Sequence, residues 1–570
     1  MFNCMVMYEL SARTLVSANL HRKQLFQYQL NTFRCQLGRR IDHNNSTTTM
    51  SSKPPNILVY SEVEPVRLEL IATLQRTLEP DRYTVYPLSA EQVRGRAWPD
   101  STAALIVHGR LETSLAEVFA DYFLNGGKLL GVCSDVVGLF DCGEVGGVTR
   151  VMKHLRDLRG EDHEVQVEVI ARGDTSRTVR IIAVDELKTC GRAISTQIEF
   201  VPYEDNKQNL EIFKHVLSSE LGIKFKTSHD HEASCYQSAF LIGSEEVKRS
   251  FLSDLSIPND LKVSDLTLQF CSKSDLIPAA SESHLPVLTD QPPEDFSTQL
   301  FNDHLKTTNI GRLTLYLPLV TSSMIIVSNA TLPHGFVAIP RRQSRGTGRN
   351  RNQWLSPDGC AMFSLQLHVP LDSPLGQRLP MVQHLVALGI VLGIRNQPGY
   401  GELDVRLKWP NDVYANGRSK LGGIIVNSQL EGSRAVVNVG CGVNLSNSTP
   451  TTCVNDVIGE FNRERRERLR ALGYEQLLAQ IFNEIERIFE EVQRGKVEVL
   501  YDLYRRYWLH EGQSVTIRDR DGLDVTGTVA GIDEYGYLLV KVDGAGQPIC
   551  VHPDGNSFDM MKGLIIPKYC

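Results

Sequence analysis

The sequence predicts a multidomain protein, α/β in its N-terminal part and α+β in its C-terminal half. Three observations carry this. At 570 residues the chain is too long for one hydrophobic core. Between 56 and 135, short β-rich runs alternate with helically spaced apolar residues, the pattern of a parallel α/β sheet. Between 404 and 440 three β-rich runs are instead separated only by turn signals, Pro410-Asn411-Asp412 and Asn416-Gly417, which implies antiparallel neighbours.

Residues 1–52 are expected to be a leader or a disordered tail. The basic residues Arg13, Arg22, Lys23, Arg34, Arg39 and Arg40 face only two acids, Glu9 and Asp42, a composition that suits a mitochondrial presequence. Met50 stands as a second start, so both cytoplasm and mitochondrion are expected locations. Residues 53–240 form the α/β domain. Its strands are expected at Ile57–Ser61, Tyr83–Leu88, Ala103–His108, a run ending at Cys133, and two more within 164–186. Its helices are expected at Val66–Leu78, Leu111–Leu124 and Gln208–Leu221. Cys133 on a strand-to-helix turn after Gly126-Gly127 resembles the nucleophile elbow of class I glutamine amidotransferases. Asp135 replaces that family's usual glycine, and His229-Asp230-His231-Glu232 offers the only nearby partners, so an amidotransferase-like but inactive domain is expected.

Ser, Pro and Asp, with Pro278, Pro286 and Pro292-Pro293, make 241–295 read as a connector. An α+β domain over 296–510 follows, with strands at Arg312–Leu317, Gly335–Pro340 and Ala361–Val369. Met381–Ile394 reads as a buried helix, because Gln383 and His384 interrupt the only long apolar run. From Tyr474 to Val492 apolar residues recur every three or four positions, with Gly495 placed as a C-cap; Val497–Tyr507 is a second helix. The alternating strands after Gln513, with the Asp521-Gly522 turn, predict an SH3-like β barrel over 511–570.

Hydrophobic residues at 42% and charged residues at 22% describe an ordinary globular chain with no membrane span. A net charge of −7 and a pI of about 6.1 argue against a protein devoted to nucleic acid. Twelve cysteines without a Cys-x-x-Cys pair suggest neither a zinc ribbon nor a disulfide framework.

The chemistry centres on Arg341–Pro357, an arginine-rich loop expected between two strands. Gly346 and Gly348 can adopt positive φ and let backbone N–H groups approach a ligand closely, while Arg345, Arg349 and Arg351 supply charge for phosphate or carboxylate. Thr321-Ser322-Ser323-Met324 precedes this loop. Lys408-Trp409-Pro410-Asn411-Asp412, Lys420-Leu421-Gly422-Gly423-Ile424 and Gly440-Cys441-Gly442-Val443-Asn444-Leu445 follow it. In this order the motifs resemble the catalytic module of biotin protein ligases, over roughly residues 300 to 565. His552-Pro553-Asp554-Gly555-Asn556-Ser557-Phe558-Asp559-Met560 resembles the C-terminal domain of animal holocarboxylase synthetases.

That resemblance implies a class II synthetase-like catalytic domain that makes biotinyl-5′-AMP from biotin and ATP. Biotin then passes to a lysine on the biotin carboxyl carrier domains of biotin-dependent carboxylases. It implies biotin contacts from Ser322, Ser323, Met324, Gln343, Gly346, Thr347, Gly348, Arg349 and Lys408. Nucleotide contacts are implied for Arg349, Asn352, Trp354, Lys408 and Asn444, with Mg²⁺ held chiefly by phosphates and Asp412 reaching it through water. Lys408 and Arg349 are the expected catalytic cations, Lys408 because it precedes a rigid turn. Thr347 stands where the family mostly has a basic residue, and Asn350-Arg351 replaces a glycine-bearing pair. A lipoate–protein ligase is the enzymatic alternative, and a biotin-responsive regulator the other. No helix-turn-helix is evident N-terminally.

Overall fold

The computed structural model describes residues 54–79, 81–95, 98–134, 150–156, 161–172, 179–196, 207–226, 236–349, 353–518, 524–542, 547–553, 556–559 and 564–567. The expected leader, His229–Glu232, Asn352 and the Asp521-Gly522 turn lie outside them. Residues 51–570 form one compact unit.

The N-terminal strands are β1 (Asn56–Ser61), β2 (Thr84–Pro87), β3 (Thr102–His108), β4 (Lys128–Val132), β5 (Arg150–Arg156), β6 (Asp162–Arg172), β7 (Val179–Glu186) and β8 (Arg192–Thr196). They lie in the order β2-β1-β3-β4-β8-β7-β6-β5. The first five are mutually parallel, as the sequence pattern implies, whereas β7, β6 and β5 continue the sheet antiparallel. The sheet is thus mixed. On one face α1 (Glu64–Thr77), opened by Pro65 in its first turn, buries Leu70 and Leu74 against Ile57 and Val59. On the other, α2 (Ala90–Gly95) precedes α3 (Thr113–Leu124), whose Phe119 and Phe123 pack on Leu105 and Leu129. A fourth helix, α4 (Lys207–His215), joins the first face through Phe213. Cys133, just past β4, is exposed with φ 47°, the left-handed backbone of a sharp elbow.

The region expected to be a connector is part of a second, larger sheet. It contributes β9 (Ala239–Ile242), α5 (Glu245–Ser253), β10 (Asp260–Val263), β11 (Leu266–Cys271) and β12 (His284–Leu288). After α6 (Thr298–His304) come β13 (Thr314–Val320), α7 (Ser323–Ser328), β14 (Val337–Gln343), β15 (Cys360–Pro370), α8 (Met381–Arg395), β16 (Val405–Lys408), β17 (Asp412–Ala415), β18 (Ser419–Glu431) and β19 (Arg434–Asn444). Among the described residues this sheet has eleven strands, ordered β10-β11-β12-β9-β13-β14-β15-β19-β18-β17-β16. β9 pairs with β13, so the boundary expected at 240–241 and the connector over 241–295 are both corrected. Short strands between proline- and serine-rich turns had the composition of a linker.

Helices α9 (Val454–Arg465), α10 (Tyr474–Gln493) and α11 (Val497–Tyr507) follow. α8 lies on α10 at close range: a Cβ on Gly389 would meet Ile485 Cγ1 at 2.3 Å, so only glycine allows that approach. The C-terminal strands β20 (Ser514–Arg518), β21 (Asp524–Ile532), β22 (Leu538–Val542), β23 (Ile549–Val551), β24 (Asn556–Asp559) and β25 (Leu564–Pro567) form a sheet ordered β23-β22-β21-β20-β25-β24. Its pairings are antiparallel except β20 with β25. No helix among the described residues is long and apolar enough to cross a membrane.

Candidate active site

A recess of about 60 Å³ lies between α7, the arginine loop and strands β18 and β19, and shares Ser322, Met324, Thr347, Gly348, Arg349 and Ile425 with an open groove of about 700 Å³. One end is polar. The Ser323 amide donates to Gln343 Oε1 at 2.8 Å, the Ser323 hydroxyl lies 3.2 Å from the same oxygen, and that hydroxyl meets Ser364 Oγ at 2.8 Å. Gln343 Nε2 donates to Ser356 Oγ at 3.3 Å. Ser323 and Ser364 are buried, so this chain of hydroxyls and an amide is fixed in place and suits a small ring bearing both donors and acceptors.

The other end carries charge. Lys420 lines the recess with its ammonium 2.7 Å from Asp412 Oδ1 and 5.6 Å from the centre of the Trp354 ring. Arg349 donates to Asn411 Oδ1 at 3.1 Å and to the Pro553 carbonyl at 3.0 Å. The loop therefore bears on the C-terminal sheet domain as well as on the turn after β16. Trp354 packs on the glycines of β18 and β19, where a Cβ at Gly442 would fall 2.5 Å from the indole. Two cations and a buried polar end, facing one recess, can hold an acid by its ring and by its carboxylate at once.

Of the residues expected here, the recess brings together Ser322, Ser323, Met324, Gln343, Thr347, Gly348, Arg349 and Trp354. Lys408, Gly346 and Asn444 are not on its wall. The Lys408 side chain is buried with its ammonium 5.2 Å from the Tyr414 ring, beside the C-terminal domain. Gly346 is not at positive φ; it is needed because a Cβ would strike the Trp354 carbonyl at 2.6 Å. Asn444 instead ties Thr452 and Asn447 together, donating at 3.2 Å and accepting at 2.9 Å. Lys420 and Asn411 were missed as site residues although their motifs stood out. The signal was a second lysine eight residues after Asp412, before the Gly422-Gly423 pair that leaves room for a ligand.

The C-terminal domain fixes this end of β16. Leu509 donates to the Leu407 carbonyl at 2.9 Å. Trp409 N–H donates to His510 Nε2 at 3.1 Å, and Trp409 Nε1 to the Gly536 carbonyl at 3.0 Å. His384 Nε2 lies 3.1 Å from the same carbonyl. His510 Nε2 accepts, so its Nδ1–H donates to Gln513 Oε1 at 2.9 Å and the ring is neutral. Burial pulls His384 and His510 down from the usual 6.5 to about 4, with Arg349 adding to the effect on His384 and Lys408 to that on His510. Both rings are neutral when folded and protonate near 6.5 when unfolded, so their stabilisation is complete above pH 6.5 and lost as pH falls toward about 4. The melting temperature is expected to drop by several degrees over that range. A His384→Gln/His510→Gln protein should show a flatter pH slope, and an unchanged slope would assign the loss to other groups.

Residues 320–444 match the biotin/lipoate A/B protein ligase family, and residues 510–563 the biotin protein ligase C terminal domain. The chain is 29% identical to the human biotin protein ligase over 93% of its own length and 79% of that protein's. It is 34% identical to the chloroplastic biotin protein ligase 1 of Arabidopsis thaliana, over 60% of this chain and 89% of that one. Among solved structures it is similar to the Aquifex aeolicus biotin protein ligase in complex with biotin and ATP, at 22% identity and a TM-score of 0.33, over 43% of this chain and 96% of that one.

Proposed function

The chain belongs to the biotin protein ligase family, and from that premise we infer how its own residues carry out the ATP-dependent attachment of biotin to protein. A carboxylate is a poor electrophile and hydroxide a poor leaving group, so the acid must first be joined to AMP. Biotin carboxylate attacks the α-phosphorus of ATP, pyrophosphate leaves, and a lysine amine then displaces AMP to form the amide. The first step brings two anions together and adds charge at phosphorus.

The observation that carries this reading is the pairing of a polar end, Ser322, Ser323 and Gln343, with two cations, Lys420 and Arg349, around one recess. The hydroxyls and amide serve the ureido ring, and Lys420 lies between carboxylate and α-phosphate. Arg349 covers the phosphate from the loop, and Trp354 lies at the adenine end. Asp412 orients the Lys420 ammonium and leaves it further donors for the ligands. Among the described residues no group of three acid, His or Cys side chains could cage a metal, and Asp412 is engaged by Lys420. In this reading Mg²⁺ would come with the nucleotide, held chiefly by its phosphates, whose charge it would neutralise.

The groove beside the recess is open enough to admit a lysine from a carrier domain of biotin-dependent carboxylases, our proposed acceptor. The C-terminal sheet is read as SH3-like, and the N-terminal domain as an amidotransferase-like fold without that activity. Biotin, and not lipoate, should drive exchange of labelled pyrophosphate into ATP; exchange with lipoate alone would make the chain a lipoate ligase. For location, residues 1–49 fused to a reporter should carry it to mitochondria, while a chain begun at Met50 stays in the cytosol. A cytosolic signal from both would reduce the segment to a tail.

A further inference from the structure

The arginine loop is gripped from outside the catalytic module. Among the described residues strand β2 is an edge of the N-terminal sheet, paired with β1 alone, which leaves alternate N–H groups facing outward. Thr84 N–H turns inward to Pro55, at 3.2 Å, and Val85 N–H points out to Gln353 Oε1 at 3.5 Å. The Tyr86 phenol donates to the Gln353 carbonyl at 3.4 Å. In the turn before β2, Asp81 has φ 58°, a left-handed backbone that aspartate tolerates at some cost. Its carboxylate lies 3.9 Å from the Arg342 guanidinium and is held by the nearby backbone N–H of Ser356, which favours its charged form. Desolvation holds its proton more tightly than usual despite that arginine, so burying Asp81 here is itself a cost that the contact must offset.

These contacts fall on both arms of the loop, Arg342 on the way in and Gln353 and Ser356 on the way out. The outgoing pair brackets Trp354, whose ring lies against the Lys420 ammonium and the glycines of the recess. Individually each contact is weak; together they fix the two arms relative to each other.

We propose that the N-terminal α/β domain, through Asp81, Val85 and Tyr86, holds the arginine loop closed over the recess and so retains the acyl-adenylate until the acceptor lysine arrives. Asp81 and Tyr86 are positioning residues: they touch no substrate and act through Trp354 and Arg349. The inference rests on the ligase reading, because retention matters only if a reactive mixed anhydride is made.

The test is Asp81→Asn with Tyr86→Phe in the full chain. Asparagine keeps the left-handed backbone and an accepting oxygen, and phenylalanine keeps the ring, so what is lost is the charge facing Arg342 and the hydrogen bond of the phenol to Gln353. Biotin-dependent pyrophosphate exchange should stay within about twofold of wild type, while escape of adenylate rises about tenfold, the scale of one modest hydrogen bond and one weak ion pair. Escape is read as biotinylation of added albumin. Trp354 emission, isolated by subtracting a Trp354→Phe protein, should shift toward that of an exposed indole. Should the double variant fail to fold, Gln353→Ala severs the edge contact from the loop side and should give the same rise. Unchanged escape with normal exchange, or a loss of exchange with unchanged escape, overturns the proposal. Absence of exchange in the wild-type protein would instead overturn the ligase reading.

Discussion

With Lys420 replaced by alanine, biotin-dependent exchange of pyrophosphate into ATP is expected to fall about a hundredfold or more, the scale of removing one preorganised charge donor from a transition state. The ammonium lies on the wall of the recess, a quarter exposed at 25%, and its 2.7 Å contact with Asp412 fixes its direction before substrates arrive. Most of the loss should fall on kcat, because charge on the phosphoryl oxygens grows as the new P–O bond forms. Asp412→Asn should cost less, since it loosens the ammonium without removing it. Lys408→Ala is the necessary comparison. That side chain is buried beside Tyr414 and the C-terminal domain, so its loss should show in the melting temperature. Exchange lost with Lys408 but kept without Lys420 would return the chemistry to the lysine before the tryptophan.

Arg349→Gly is expected to leave synthesis largely intact and to release the intermediate. The guanidinium ties the loop to Asn411 and to the Pro553 carbonyl, and in the proposed mechanism it would also pair with the phosphate of the adenylate. If closure over the adenylate desolvates that pair, removing one member puts roughly 2–5 kcal/mol at stake, chiefly in the rate of opening. Escaped biotinyl-adenylate acylates exposed lysines, so albumin mixed with the variant, biotin and ATP should become labelled far faster than with wild type. Unlabelled albumin with normal synthesis and slow release would mean that Arg349 does not hold the loop shut.

Periodic and strongly patterned stretches were legible from the sequence. Alternation and helical spacing place β1, β3, α3 and α10 within a residue or two, because their burial follows their local pattern. The loop and its serines are legible for another reason: glycine, arginine and serine at fixed offsets carry the family resemblance, whatever their local periodicity. Tertiary cover is what local pattern does not carry. In β16, Arg406 is exposed and Lys408, on the same face by alternation, should be too. It is buried because residues a hundred positions later, around His510, close over it. Lys420 reaches the recess after a register shift between Val413 and Tyr414, which no periodicity announces. Strands β9 to β12 are only four to six residues long, and the prolines and serines of their turns outweigh them in any window.

The place of β9 sets a limit on how the protein can be shortened. β9 lies between β12 and β13, hydrogen-bonded on both sides, with Leu241 and Ala239 sharing a buried cluster with Leu315 and Leu317. A truncated chain beginning at 296 would strip four strands from β13 at once and expose both the cluster and a row of unpaired backbone groups. Such a fragment would self-associate through that edge, however intact its active-site residues. The smallest soluble ligase fragment must begin before Ala239, and a nick in the exposed loop around Leu276 should leave the two pieces associated through β9 and β12.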